Sequence, residues 1–189
     1  MKNQTLFERS HRNSQKRIYS DQGVYFVTTV THERFPFFAE PIFCELFVEN
    51  LRLCKALKRY ELYGWVLMHD HVHLLIQPNV DWNISQIMHS LKRNVSRNIN
   101  IVLGEGEDNY PRLLHRKMID KYKCKFMQKS AHEQNKIPLF RWQKSFHDHL
   151  IRDEQDLQHH YEYIINNPIK AEYPEHWMYV SSNERWKEF

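Results

Sequence analysis

Two histidines separated by one apolar residue, His71-Val72-His73, lie in the run Gly64-Trp65-Val66-Leu67-Met68-His69-Asp70-His71-Val72-His73-Leu74-Leu75-Ile76. A run of this composition reads as extended chain, in which side chains alternate faces with a period of two. His71 and His73 therefore share a face and Val72 points the other way. Two imidazoles on one face of a buried strand form half of a metal site; the alternative is a pair of hydrogen-bonded strand histidines. His69 extends the series and suggests a zinc hydrolase built on His69, His71 and His73. Positions four apart on a straight strand are about 13 Å apart, so one tetrahedral ion takes both outer imidazoles only if the chain bends sharply. That reading also lacks a positioned general base, because Asp70 suits the shaping of a turn. His71 with His73 is the better pair, and a third ligand has to come from another element.

The last helical segment offers one. Leu157, Tyr161, Ile164 and Ile165 fall on one stripe at spacings of four, seven and eight, which makes that face core. Tyr163 lies off the stripe, and Asn167 follows one turn later on the same side. Tyr163 and Asn167 are thus candidates for a nucleophile and a metal ligand, against the alternative of a surface tyrosine. Tyr161 is better suited to packing.

These residues need a scaffold to meet. Gly23 to Thr31 is rich in β-branched and aromatic residues and reads as a strand. From Pro41, the residues Ile42, Leu46, Phe47, Leu51 and Leu57 recur at helical spacing. Tyr60–Met68 and His71–Ile76 read as strands joined by a tight turn at His69-Asp70. Asp81 or Asn83 caps a helix whose stripe is Ile84, Ile87, Met88, Leu91 and Val95. Leu139 to Ile151 is expected to be extended. Asp153 caps the last helix, with Asp156 at its third position, and Asn166-Asn167-Pro168 is expected to end it. The order matches the first five elements of a ferredoxin-like βαββαβ sheet. The expected fold is α+β, an antiparallel sheet with helices on one face plus a C-terminal tyrosine-bearing helix.

The 189 residues fit one domain, expected over 20–189 and preceded by a basic arm over 1–19. That arm lacks the apolar core of a secretory signal, and no apolar stretch reaches the roughly 18 residues of a membrane span. Three cysteines without paired spacing suggest reduced thiols and a cytoplasmic protein, nucleoid-associated if bacterial. The net charge of +4 permits a polyanionic partner without demanding one. Four glycines and no Gly-rich loop argue against a nucleotide-phosphate cradle. A basic insertion at about 104–138 breaks the pattern; it reads either as a solvated excursion or as a phosphate-contacting surface. The tail is expected to pack through Trp177 and Trp186.

From about Gly23 to Ser182 the chain resembles the single-tyrosine HUH transposases, and among them the REP-associated tyrosine transposases. Gly23-Val24-Tyr25-Phe26-Val27-Thr28 is similar to the opening strand of that family. Leu67 to Leu75 is similar to its metal-binding strand, and Ile87 to Arg93 to the helix that follows. Arg141 to Arg152 and Tyr163 to Lys170 resemble its two C-terminal motifs, and Trp177 to Ser182 its closing segment. One departure is His69, which stands where the family commonly has proline and adds an alternative ligand.

The resemblance implies a single-stranded DNA endonuclease and strand transferase that recognises hairpin DNA. It implies one divalent ion, Mg²⁺ or Mn²⁺, on His71, His73 and Asn167, and attack by Tyr163 to give a 5′-phosphotyrosine bond. It leaves open monomer or homodimer, with the tyrosine helix acting in cis or in trans. Candidate DNA contacts are Lys92, Arg93 and Arg97 on the second helix, and Arg112, Arg116 and Lys117 in the insertion. Trp142, Lys144 and Arg152 join them from the C-terminal motif. The competing reading is a non-catalytic nucleic-acid-binding protein with the same fold.

Overall fold

The computed structural model describes residues 23–105, 113–130, 137–174 and 177–186. The arm over 1–19, Arg112 and parts of the insertion lie outside the described residues. Four strands, β1 (Tyr25–Val30), β2 (Glu61–Leu67), β3 (His71–Gln77) and β4 (His147–Leu150), form one antiparallel sheet in the order β2-β3-β1-β4. Helices α1 (Pro41–Lys58) and α2 (Ile84–Val102) connect them as the βαββαβ order requires, and α4 (Glu154–Lys170) follows β4. The fold is α+β, as expected from the order of elements.

Register explains how the sheet separates packing from chemistry. Thr28 pairs with His73 and Phe26 with Leu75 across β1 and β3; Val66 pairs with His73 across β2 and β3; Phe26 pairs with His149 across β1 and β4. Residues opposite one another share a face. Tyr25, Val27, Trp65, Leu67, Val72, Leu74 and Ile76 therefore face the main core with α1 and α2. Phe26, Val66 and Leu75 face the other way and pack with Ile164 of α4. The histidine pair shares this second face, which the tyrosine helix covers.

Local signals account for the helix starts. Asn83 caps α2 in a reciprocal capping box with Gln86, and the Asp153 side chain accepts from the Asp156 N–H at the start of α4. Ile84, Ile87, Met88, Leu91 and Val95 are all buried. Leu57 departs from its expected stripe: it is 54% exposed, and Cys54, one turn earlier, points into the core instead. The stripe runs out because α1 ends at Lys58.

Helix α4 also continues past the expected stop. It runs to Lys170 with Pro168 inside it. A proline in the last turn forfeits only the hydrogen bond to the residue four before it, and the Pro168 ring is buried. Asn167 is therefore helical and holds its place one turn from Tyr163.

The insertion contributes α3 (Leu113–Ser130), which packs on α1 and α2 through the buried Ile119 and Tyr122 and sets Phe126 against Phe43. Two of its lysines face acids near α1, Lys125 with Glu45 at 3.2 Å and Lys129 with Glu40 at 2.5 Å. Part of its basic character thus serves internal pairing, while Arg116 and Lys117 are exposed. The tail hydrogen-bonds along the β2 edge at Leu67–Tyr179 and Trp65–Ser181, and Trp177 Nε1 donates to the Leu67 carbonyl. Cys44, Cys54 and Cys124 are free thiols. Among the described residues, no helix is long and apolar enough to cross a membrane.

Candidate active site

The His71 and His73 rings stand 4.9 Å apart, centroid to centroid. Each has its Nδ1 fixed from behind. His73 Nδ1 is 2.7 Å from Thr28 Oγ1, and His71 Nδ1 is 2.5 Å from Asp70 Oδ1. With protons on both Nδ1 atoms, both Nε2 atoms present lone pairs. His73 Nε2 is buried and has no hydrogen-bond partner among the described residues. A buried imidazole nitrogen left unpaired is costly in a purely structural strand, and a cation satisfies it.

The electrostatics agree. Burial, reinforced by the neighbouring His71, lowers the His73 pKa to about 3, so this imidazole is neutral and able to coordinate. Burial raises the Asp70 carboxyl, but hydrogen bonding and charge from His71 and Arg34 outweigh it and leave the carboxyl below its usual range. Arg34 donates to Asp70 Oδ2 at 3.0 Å. Asp70 thus shapes the turn and orients His71, as carboxylates behind metal-binding imidazoles do.

Tyr163 comes from α4. Its ring lies edge-on to His73 with centroids 5.2 Å apart, and edge-on to Phe26 at 5.8 Å. Phe26 itself stacks on His73 at 5.2 Å with a 15° interplanar angle. Tyr163 is 36% exposed, which leaves the phenol reachable from solvent. Asn167, one turn later, is buried at 8% exposure. Two imidazoles suit a divalent cation and leave positions open for oxygen ligands, the donor type that the Asn167 amide carries.

Gly64 sets how closely α4 approaches. The β2–β3 register shifts between Leu62 and Gly64, and a Cβ added at Gly64 would stand 3.2 Å from Tyr161 Cδ2 and 3.6 Å from Ile164 Cδ1. Tyr161 is thus the packed tyrosine and Tyr163 the one beside the histidines. Gly64→Val is expected to cost about 1–3 kcal/mol of stability by overpacking this contact. Urea denaturation checks it; an unchanged midpoint would mean α4 is free to shift.

His69 does not join the pair. Its ring stacks on Tyr173 at 4.3 Å and meets Trp177 at 5.1 Å, and its backbone N–H donates to the Tyr173 hydroxyl. Among the described residues the three histidines form no common cluster of ligand atoms. A zinc site on His69, His71 and His73 is therefore not what this turn builds: the chain carries His69 off toward the tail aromatics.

The other candidate residues are distributed as follows. Arg93 and Arg97 line a groove of about 660 Å³ along α2 with Lys58, Trp82 and His89. An adjoining groove of about 570 Å³, between α2 and residues 140–146, is lined by Arg93, Lys92, Arg141 and Lys144. Lys92 Nζ donates to the carbonyls of Gln143 and Ser145 at 2.8 and 2.6 Å, so it ties this segment to α2. Trp142 packs against Phe38, Phe47 and Phe140 on one side, is half-buried, and also lines the 570 Å³ groove. Arg152 stands apart from these grooves and pairs with Asp156 at 3.0 Å.

Sequence reasoning missed Thr28 and Phe26 as site residues. Both act through strand pairing, and nothing local in Tyr25–Val30 announces which residues will stand opposite His73. Thr28→Val is expected to weaken metal affinity by roughly 10–100-fold, as loss of an orienting partner typically does. Metal titration by calorimetry measures it; affinity equal to wild type would deny Thr28 that role.

Comparisons with known proteins agree with this architecture. The family model for IS200-like transposases matches residues 19–115. A Haemophilus influenzae protein named "Putative REP-associated tyrosine transposase" is 27% identical over 170 residues, covering 88% of this chain and 83% of its own. The solved structure of a REP-associated tyrosine transposase bound to a REP hairpin superposes with a TM-score of 0.53 at 17% identity, covering 90% of this chain and 82% of that one. The likeness in structure concerns the fold, while the family match spans more than half of the sequence. The chain belongs to the IS200-like transposase family and is a DNA-processing enzyme similar to the REP-associated tyrosine transposases.

Proposed function

We propose that this protein cuts and rejoins single-stranded DNA beside a hairpin, with Tyr163 as nucleophile and a divalent cation on His71, His73 and Asn167. The observation that carries this reading is the Tyr163 ring, 5.2 Å from His73, whose Nε2 is buried and unpartnered. The phenolic oxygen of Tyr163 attacks phosphorus in line with the departing 3′-oxygen. A P–O(Tyr) bond forms, the P–O3′ bond breaks, and the proton ends on the 3′-hydroxyl. The phosphotyrosine retains the energy of the cut bond, so the reverse attack by a 3′-hydroxyl joins strands without ATP.

When bound, Mg²⁺ or Mn²⁺ supplies positive charge for the phosphoryl oxygens in the transition state. Mn²⁺ is expected to bind more tightly, because imidazole suits it better than Mg²⁺. Thr28 and Asp70 hold the imidazoles in the ligating tautomer, and Phe26 keeps one side of His73 dry. The tyrosine helix lies against its own sheet, which favours action in cis.

Arg93, Arg97 and Lys144 along the α2 grooves, with Arg116 and Lys117 on α3, supply phosphate contacts. The hairpin-bound neighbour supports hairpin DNA as the substrate class. A labelled hairpin oligonucleotide with a single-stranded flank tests the reading. Cleavage requiring Mg²⁺ or Mn²⁺ and lost on full pairing of the flank is expected; metal-independent binding without cleavage would favour a non-catalytic binding protein.

A further inference from the structure

A second group of ligand-type side chains gathers where β4 meets α4, separate from the His71–His73 pair. His149 comes from β4, and Asp156 and His160 from one side of α4, four residues apart. One ligand atom from each lies within 4.8 Å of the other two. His149 Nε2 stands 2.8 Å from Asp156 Oδ2, and His160 Nδ1 stands 3.1 Å from Asp156 Oδ1. The two imidazoles stack at 4.7 Å with a 19° interplanar angle. Around a tetrahedral ion with bonds near 2.1 Å, neighbouring ligand atoms are separated by about 3.4 Å, so these contacts need only a small opening to admit one.

The surroundings are built for such an ion. The Asp156 side chain is 7% exposed, His160 18% and His149 39%, which leaves entry from the His149 side. The Arg152 side chain and backbone N–H both donate to Asp156 Oδ2, at 3.0 and 3.1 Å, and fix the carboxylate as an outer partner does for a ligating acid. His160 Nδ1 is also 2.8 Å from the Asp156 carbonyl oxygen. Without an ion, His160 Nδ1 donates to that carbonyl and His149 Nε2 to the carboxylate, so loading the site breaks both hydrogen bonds and moves the imidazole protons to His149 Nδ1 and His160 Nε2.

We propose that His149, Asp156 and His160 form a second transition-metal site, suited to Zn²⁺, that pins the first two turns of α4 to β4. Two imidazoles and one carboxylate with a position left for water is a zinc-type ligand set. The site lies on the face of the sheet that carries the tyrosine: Phe26 stands between His160, at 4.6 Å, and His73, at 5.2 Å. An ion there holds the helix that carries Tyr163 without touching the reacting groups.

The test is zinc stoichiometry of the full chain, stripped with chelator and dialysed against Zn²⁺. Wild type is expected to hold two ions, the His71→Ala/His73→Ala variant one, and the His149→Ala/His160→Ala variant one. His160→Gln, which keeps a hydrogen-bonding side chain, is expected to lose the same ion with its circular dichroism unchanged. Co²⁺ substitution then reads each site separately through its visible absorption. Wild-type stoichiometry in both His160 variants would overturn the proposal, as would a single ion in wild type that only the His71/His73 substitutions remove. A single ion lost only with His149 and His160 would uphold it and would count against the cation assigned to His71 and His73.

Discussion

Replacing Tyr163 with phenylalanine is expected to abolish the covalent protein–DNA adduct and to slow hairpin cleavage by at least about 10³-fold. The substitution removes one oxygen from a side chain that is 36% exposed, so folding and hairpin binding are expected to persist. Tyr161→Phe is the control. That ring packs over Gly64 and on the β2 side of α4, and its loss of a hydroxyl is expected to leave the adduct intact. Denaturing gels of protein mixed with labelled hairpin measure both. An adduct surviving Tyr163→Phe would move the nucleophile elsewhere.

The second large effect is expected at His73. His73→Ala removes the buried Nε2 that has no hydrogen-bond partner among the described residues, the atom proposed to hold the cation. Cleavage is expected to fall by roughly 10²–10³-fold, equivalent to ~3–4 kcal/mol of transition-state stabilisation. Chelation of the wild-type protein is expected to give the same loss, and added Mn²⁺ to restore the wild type but not the variant. Single-turnover cleavage against metal concentration measures it. Full activity in His73→Ala at the same Mn²⁺ concentration would show that the strand histidines do not hold the catalytic ion.

Much of this arrangement was legible because two short-range periodicities carry it. Alternation along His71-Val72-His73 places both imidazoles on one face, and the three-four spacing of Leu157, Tyr161 and Ile164 turns Tyr163 away from the helix stripe. The buried stripe of α2 and its Asn83 cap were legible for the same reason: pattern and cap chemistry are local.

What escaped was long-range or depended on small energy differences. Thr28 supports His73 only because β1 pairs with β3 in one register. The sequence does not show that the bridge from Thr31 sets Trp142 between core aromatics and the groove beside α2. The Asn166-Asn167-Pro168 run signals a helix end, but a proline in the last turn costs one hydrogen bond, and burial of its ring offsets it. Asp156 is legible as part of a helix start; its meeting with His149, seven residues earlier, depends on the geometry of the turn between β4 and α4.

The most direct test of the account is to map the adduct formed by the wild-type protein on a defined DNA hairpin in the presence of Mn²⁺. Proteolysis and mass spectrometry are expected to find the nucleotide on the peptide carrying Tyr163, joined through a 5′-phosphate, and to find none when the metal is withheld. A DNA-linked peptide from any other part of the chain, or the same yield of adduct in chelator, would contradict it.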